Sequence, residues 1–409
     1  MKRTWLAACA FPLAALLVGC GGASGATISD APLAGAATGG SGGAATHGGQ
    51  TVSEAGTRTA GGSSSEAGAG GVAMGGTGNA CGVADLDGLS VFSNGRWDPL
   101  GYPPYALDGC RLVYVAPEDG GGALHLRDLA TGADLELEPA ASQPRRPALS
   151  GEVIAWEIGD GAKSQVRVSF QGNVRTLTGN FDHAGEPRVA VDAVVFTAFM
   201  GANPTDDTDV YLYDVDSDEL SPVAQGAGQQ RFADVSATHV AVTDFSEDPR
   251  GYFDQFESIA DLLIIDRQTG LATPRKRPGK QAFPLLGSDD ALVYLDWGAV
   301  HPEPKFSQFG LRAGVLDAPL DADYDVEPEG VRTDPAYLRP SLRGQNIDFV
   351  DTQGGVIGLY RFTLGSQQPP TAIPIAGSPQ LFGPVATDAM TLIATPLQGQ
   401  TLGLKAVAR

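Results

Sequence analysis

The chain has 409 residues, of which 55 are Gly, 28 are Pro and only 18% are charged, with 27 basic residues against 48 acidic ones, a net charge of −21. So acidic a protein lacks the basic footprint that displaces counterions from phosphates or settles on anionic lipid, which excludes a nucleic-acid binder and a basic membrane-surface helix. Four Cys, with no C-x-x-C pair and no Cys/His zinc spacing, also exclude a disulfide-dense scaffold and a zinc ribbon.

In chain order, Lys2 and Arg3 precede an apolar run from Thr4 to Val18 that ends at Gly19-Cys20. A charged start, a short apolar stretch and a small-residue cleavage point make an export signal, and a helical bilayer span would need about 20 apolar residues. Leu17-Val18-Gly19-Cys20 resembles a bacterial lipobox. The resemblance implies that residues 1–19 are removed and that Cys20 becomes a lipid-bearing N-terminus. Gly21, where Asp would signal retention, implies an outer-membrane destination.

Residues 20–80 form the next unit. From 21 onward, 47 of 60 positions are Gly, Ala, Ser or Thr, none is aromatic, and only Asp30, Glu54, Arg58 and Glu66 are charged. Such a segment cannot bury enough apolar surface to offset the entropy of ordering, so the expectation is a disordered tether. As a Gly-rich coil its r.m.s. span is roughly 40–45 Å, which holds whatever follows away from the membrane.

The composition changes at 81, and the remaining 81–409 are expected to form one all-β domain. A pattern recurs: an apolar anchor, a turn, then a buried strand. It reads Leu107-Asp108-Gly109 before Leu112-Val113-Tyr114, Leu149-Ser150-Gly151 before Ile154-Ala155-Trp156, and Val189 before Val194-Val195-Phe196. It continues at Val235 before Val240, Leu285 before Leu292, Leu342-Arg343-Gly344 before Ile347, and Val385 before Leu392. A second half-motif, an alternating strand ending in Asp and a tight turn, follows as Leu124–Asp128 with Thr131-Gly132, Val210–Asp214 with Ser217-Asp218, and Leu262–Asp266 with Thr269-Gly270. Asp caps such a turn through its side chain and Gly supplies the positive φ. About four strands per unit, seven times over, predicts a β-propeller of seven blades, with six or eight as the alternatives, because a lone blade cannot bury both faces.

These half-motifs resemble the blades of TolB-like β-propellers. The resemblance spans 104–409 and implies a propeller fold. TolB carries an α/β domain before its propeller, and the tether stands in that place here. The last unit runs out of chain after two or three strands, and Leu89-Ser90-Val91-Phe92 is the segment available to complete it, removing an open edge. Cys81 and Cys110 are expected to pair in an exported protein, stapling that closing strand to the first blade.

Three long connections lie on one side of such a propeller: Phe199 to Asp209, Asp244 to Asp261, and Asp296 to Gly310. Long loops on a rigid scaffold carry binding, so Asp244, Tyr252, Phe253, Phe256, Asp296, Trp297, His301 and Phe306 are the candidate binding face, suited to a cationic, peptide or sugar partner. The competing reading is that these aromatics pack the loops down as a local mini-core. Asp206, Asp207 and Asp209 offer hard oxygens for Ca²⁺, as does the run Asp214 to Asp218, but the latter aligns with a hairpin turn and lacks an EF-hand's Gly and Glu. No cofactor is expected. No G-x-S-x-G elbow or sialidase Asp box occurs. The sequence thus predicts a lipid-anchored, monomeric, non-catalytic envelope propeller that binds an envelope protein, peptide or glycan. The alternatives are a polysaccharide-acting enzyme using Asp244 with Asp296, and a structural envelope protein without a discrete ligand.

Overall fold

The structure is a computed structural model that describes residues 81, 86, 89–93, 98, 100–159, 163–177, 181–199, 207–253, 258–287, 290–297, 310–326, 339–353, 356–375, 381–397 and 401–409. The expected signal and tether, with Cys20, and the site candidates Asp206, Phe256, His301 and Phe306 lie outside the described residues.

The described strands form seven four-stranded antiparallel sheets, the blades of a propeller. Blade 1 holds β2 (Tyr105–Asp108), β3 (Arg111–Glu118), β4 (Gly121–Asp128) and β5 (Asp134–Glu138). Blade 2 holds β6 (Arg145–Ser150), β7 (Val153–Ile158), β8 (Gln165–Phe170) and β9 (Asn173–Leu177), and blade 3 holds β10 (His183–Val189), β11 (Ala193–Phe199), β12 (Thr208–Asp214) and β13 (Glu219–Ala224). Blade 4 is β14 (Gln230–Val235), β15 (His239–Asp244), β16 (Asp261–Asp266) and β17 (Ala272–Arg275); blade 5 is β18 (Gln281–Leu286), β19 (Ala291–Asp296), β20 (Gly310–Val315) and β21 (Tyr324–Asp325). Blade 6 is β22 (Ser341–Arg343), β23 (Asn346–Gln353), β24 (Val356–Thr363) and β25 (Thr371–Ile373). Blade 7 takes β26 (Phe382–Ala386), β27 (Met390–Pro396) and β28 (Thr401–Ala408) from the C-terminus and its outermost strand, β1 (Ser90–Phe92), from the N-terminal side of the domain.

Each anchor–turn–strand repeat forms the first hairpin of a blade, and the second strand is the blade's apolar centre. In β7, β11 and β19 nearly every residue is buried. The outermost strands are polar and largely exposed, as in β5, β9 and β17, which keeps those edges from pairing with other chains. Apolar clusters lie between neighbouring blades, so stacking blade on blade creates the core. The capping Asp behaves alike in three outer turns. Asp128 accepts from the amides of Ala130 and Thr131, Asp214 from the amide and hydroxyl of Ser217, and Asp266 from the amide and hydroxyl of Thr269. These bonds hold all three carboxyls below their ordinary range. Gly132 and Gly270 have φ of +74° and +70°, and Asp218 takes the same left-handed position at +59° in blade 3. The run from Asp214 to Asp218 therefore builds a hairpin turn.

The ring is closed by β1, which pairs antiparallel with β28 as Ser90↔Gly403, Val91↔Leu402 and Phe92↔Thr401. Val91 is fully buried between blades 7 and 1. The Phe92 ring lies on Gly122 so closely that a Cβ there would stand 2.6 Å from it, so position 122 has room only for glycine. Cys81 and Cys110 are disulfide-bonded with Cα atoms 5.4 Å apart, joining the chain ahead of β1 to the β2–β3 hairpin.

The innermost strands share one irregularity. Register shifts interrupt β6, β10, β14, β18 and β26 at equivalent places. The residue turned out of the ladder has positive φ in each: Arg146, Glu186, Phe232, Phe283 and Gly383. The next residue is Pro147, Pro187, Ala233, Pro284 or Pro384, and Pro340 holds this place in blade 6. Proline is tolerated because the inner edge of an innermost strand faces the channel and has no ladder partner to lose. In blades 2 to 5 the bulge turns one side chain out of the ladder, Arg146, Glu186, Phe232 and Phe283.

Candidate binding site at the ends of the central channel

The channel has a loop end, where the long connections emerge, and a hairpin end, formed by the tight turns between first and second strands. At the loop end the bulge residues close it. Arg146 donates to Asp98 (2.6 Å) and to Glu157 (3.0 Å), Arg145 donates to Glu157 as well (2.8 Å), and Arg231 bonds Glu186. Glu186 also accepts from the Thr197 hydroxyl (3.2 Å), and its amide donates to Glu157 (3.3 Å). Burial alone would raise the Glu186 carboxyl, but Arg231 and Arg146 outweigh it and hold the group below its ordinary value. Gly185 is required here, because a Cβ would lie 2.5 Å from a Glu157 oxygen already fixed by arginines. Asp98, Leu100 and Tyr102, on the connection from β1 to β2, lie against this network. Arg146 sits 5.1 Å from the Tyr102 ring centroid and Arg339 stacks on the same ring at 3.5 Å.

Aromatic residues continue the plug toward blades 4 and 5. Phe232 meets Phe245, Phe253 and Phe283 with centroids 6.4, 5.0 and 4.3 Å away, and Phe283 lies 6.4 Å from Trp297. The Lys280 ammonium sits 4.4 Å from the Trp297 centroid and 5.6 Å from that of Phe253. The base of the blade 4 loop is tied by Asp248, which accepts from the amides of Arg250 (2.8 Å) and Ile259 (2.6 Å), while Gln229 accepts from the Phe253 amide (2.8 Å).

Among the described binding-face candidates, Phe253 is thus spent on the mini-core. Trp297 is half-buried on its edge, and Tyr252 is half-buried beneath the Arg250 guanidinium at 5.3 Å. Asp244 accepts from Gln230 (3.1 Å) and from the amide and hydroxyl of Ser246 (3.0 and 2.9 Å). Asp296 accepts from Gln281 (3.0 Å) and Arg312 (3.3 Å) and pairs with Arg277 (3.4 Å). The two carboxylates occupy equivalent places, each clasped by a glutamine of its own blade's inner strand. Asp207 accepts from the Gly228 amide (2.9 Å) and Asp209 from Gln225 (3.2 Å); burial pushes the Asp209 carboxyl up. The bulge residues and the Arg–carboxylate network were not anticipated from the sequence. The signal that could have found them is the proline recurring just before the anchor on five inner strands.

The hairpin end is open. A cavity of about 350 Å³ is lined by inner-strand residues of all seven blades, with Leu107, Leu149, Val235 and Leu342 among its apolar walls and Ser150 and Ser236 among its hydroxyls. At its inner end Arg188 donates to Asp234 (3.0 Å). Arg339 stands beside them, 6% exposed, with its Nε bonded to the Leu100 carbonyl (3.1 Å) and its Nη2 without a hydrogen-bond partner.

No protein-family model matches the chain, and no curated protein is similar to it in sequence. Solved structures are similar in fold. The β-propeller domain of the Trilobed protease from Pyrococcus furiosus, described as having an open velcro topology, is 14% identical with a TM-score of 0.53, covering 78% of this chain and 93% of that one. Acylaminoacyl peptidase from Pyrococcus horikoshii is 12% identical at a TM-score of 0.50, covering 76% of this chain and 53% of the peptidase, so this chain spans about half its length. TolB from Acinetobacter baumannii is 14% identical at a TM-score of 0.42, covering 62% and 61%. At such identities the likeness to the protease propeller and the peptidase establishes the propeller fold and leaves activity open.

Proposed function

We propose that the chain is exported to the cell envelope, anchored there through lipid on Cys20, and uses its propeller as a non-catalytic binding module that presents the loop end to a protein, peptide or glycan. One observation supports this reading most: the described bases of the long loops converge on a single buried plug of charge and aromatic rings. A rim fixed in advance loses little entropy when a partner arrives, and residues on it keep their positions from one encounter to the next. Tyr252 and Trp297, half-buried at that rim, are the contacts we assign to the partner, whereas Phe253 holds the platform together. The tether would carry the platform clear of the membrane surface.

The test is capture from envelope extract by the lipidated chain, with the captured species identified by mass spectrometry. The double variant Tyr252→Ala, Trp297→Ala is expected to lose capture while keeping the wild-type unfolding temperature. Unchanged capture would remove the loop end from consideration. Cys20→Ser is expected to abolish incorporation of labelled palmitate and release the protein from membranes. A purified wild-type chain that cleaves an envelope glycan, with cleavage lost in Asp244→Asn, would replace this reading by the enzymatic one.

A further inference from the structure

On blade 1, three side chains from neighbouring strands converge: Glu118 at the end of β3, His125 in the middle of β4 and Glu136 on β5. One donor atom from each lies within 4.8 Å of the other two. The register explains the meeting. The regular register from the β4–β5 turn (Arg127↔Asp134, Leu126↔Leu135) sets His125 opposite Glu136 on one side, and the β3–β4 ladder sets it opposite Tyr114 on the other. Glu118, four residues beyond Tyr114 on an alternating strand, returns to the same face.

The imidazole is fixed in orientation. Its Nδ1 lies 2.9 Å from Asp134, whose other oxygen accepts from the Tyr114 hydroxyl at 2.7 Å and from Arg127 at 3.4 Å. A carboxylate on Nδ1 fixes the ring so that Nε2 faces Glu118. That Nε2 is buried and has no hydrogen-bond partner among the described residues, and a Glu118 oxygen lies 3.5 Å away. A ring nitrogen facing carboxylates calls for positive charge among them, which a bound cation supplies.

We propose that Glu118, His125 and Glu136 bind a divalent metal ion of the zinc class, with Asp134 orienting the histidine and water completing the coordination. One imidazole nitrogen and two carboxylate oxygens suit Zn²⁺, whereas Ca²⁺ and Mg²⁺ prefer oxygen alone. Two ligands bound at about 2.0–2.1 Å in a tetrahedron are separated by roughly 3.4 Å. The 3.5 Å between Nε2 and Glu118 matches that edge. Glu136 is exposed on its strand and has the rotamer freedom to close the third side. The site shares no residue with those assigned to the partner, so its failure would leave the binding-module reading untouched, and the converse holds too.

The test is titration of the untagged, chelator-stripped full chain with ZnCl₂ by calorimetry, and with CoCl₂ by visible absorption. The expected result is one ion per chain and the absorption of tetrahedral cobalt. His125→Ala should weaken binding at least tenfold, and Asp134→Asn ten- to a hundredfold through the lost orientation of the ring. His239→Ala, on blade 4, should change nothing. All four residues lie in the outer part of one blade, and circular dichroism of each variant checks that it folds. Equal zinc affinity in wild type and His125→Ala would overturn the proposal. So would the absence of binding at 100 µM zinc (a concentration on the order of which weak protein sites fill), as would an imidazole NMR signal from His125 that is unmoved by zinc.

Discussion

The two ends of the channel are made from the same seven strands and solve opposite problems. Among the described residues of the loop end, Arg145 and Arg146 share Glu157, Arg146 also takes Asp98, and Arg231 takes Glu186, while Arg339 lies on Tyr102 between this network and the cavity. The hairpin end keeps a cavity of about 350 Å³, and Arg339 at its inner wall has no carboxylate partner among the described residues. What separates the ends is the bulge on the inner strands. On its loop side the turned-out residue reaches the axis, and on its hairpin side the regular strand leaves the axis empty. Pairing at one end buries charge without leaving it stranded, and the rigidity gained there is what the long loops rest on.

The contrast predicts unequal responses to removing one partner. Glu157→Gln leaves Arg145 and Arg146 facing a neutral amide in a buried site, and the expected cost is about 3–5 kcal/mol, read as a lower urea midpoint. Gly185→Ala presses a methyl group into the same carboxylate and should cost about 1–3 kcal/mol by the same measurement. The hairpin end depends instead on the seam. Replacing Cys81 and Cys110 together by Ala should cost roughly 3–4 kcal/mol, the chain-entropy value for a loop of 29 residues, and should lower the unfolding temperature without altering the loop end. A double cysteine variant as stable as wild type would mean that β1 is held by Val91 and Phe92 alone.

Acid should part the ends in the same sense. The Glu186 carboxyl is depressed in the folded protein, so its contribution to stability is complete above the unfolded glutamate value of about 4.3 and disappears as the pH falls through the lower folded value. The loop end should therefore loosen first on acidification. Hydrogen exchange of β10 and β14 amides should rise before that of β27. Glu186→Gln should flatten the acid limb of the stability curve at the expense of neutral stability, and an unchanged acid limb would place the sensitivity elsewhere.

The sequence announced the blades because each repeats a local event: an apolar anchor, a tight turn and a run too apolar to face water. Leu149-Ser150-Gly151 before Ile154, or Asp266 with Thr269-Gly270, can be read without knowing the partner strands. The closing strand was legible for a similar reason, since Ser90 to Phe92 is a β-like segment in front of a last unit that lacks one strand. The plug was not legible. Arg231 meets Glu186 from 45 residues away and Arg188 meets Asp234 from 46, and only the stacking of blades brings them together. The positive φ of Phe232 and Phe283 is likewise imposed by packing, since neither residue favours it alone. Glu118, His125 and Glu136 come from three strands, and only the pairing of those strands gathers them.

Arg339→Met is the smallest effect expected and the sharpest test of the difference between the ends. The guanidinium gains from stacking on Tyr102, with Phe283 at 5.2 Å, and from one bond to the Leu100 carbonyl. A desolvated cation–π contact contributes about 2 kcal/mol. Against this stands the cost of taking an unmatched charge out of water, several kcal/mol in a buried site, and burial depresses the Arg339 pKa as that cost requires. Methionine keeps the length and the contact with both rings and sheds the charge. The urea midpoint should therefore move by no more than about 1 kcal/mol in equivalent free energy, and in the stabilising direction if desolvation dominates. A loss as large as that of Glu157→Gln would show that Arg339 is compensated as fully as the loop-end arginines, and the two ends of the channel would then be built on the same terms.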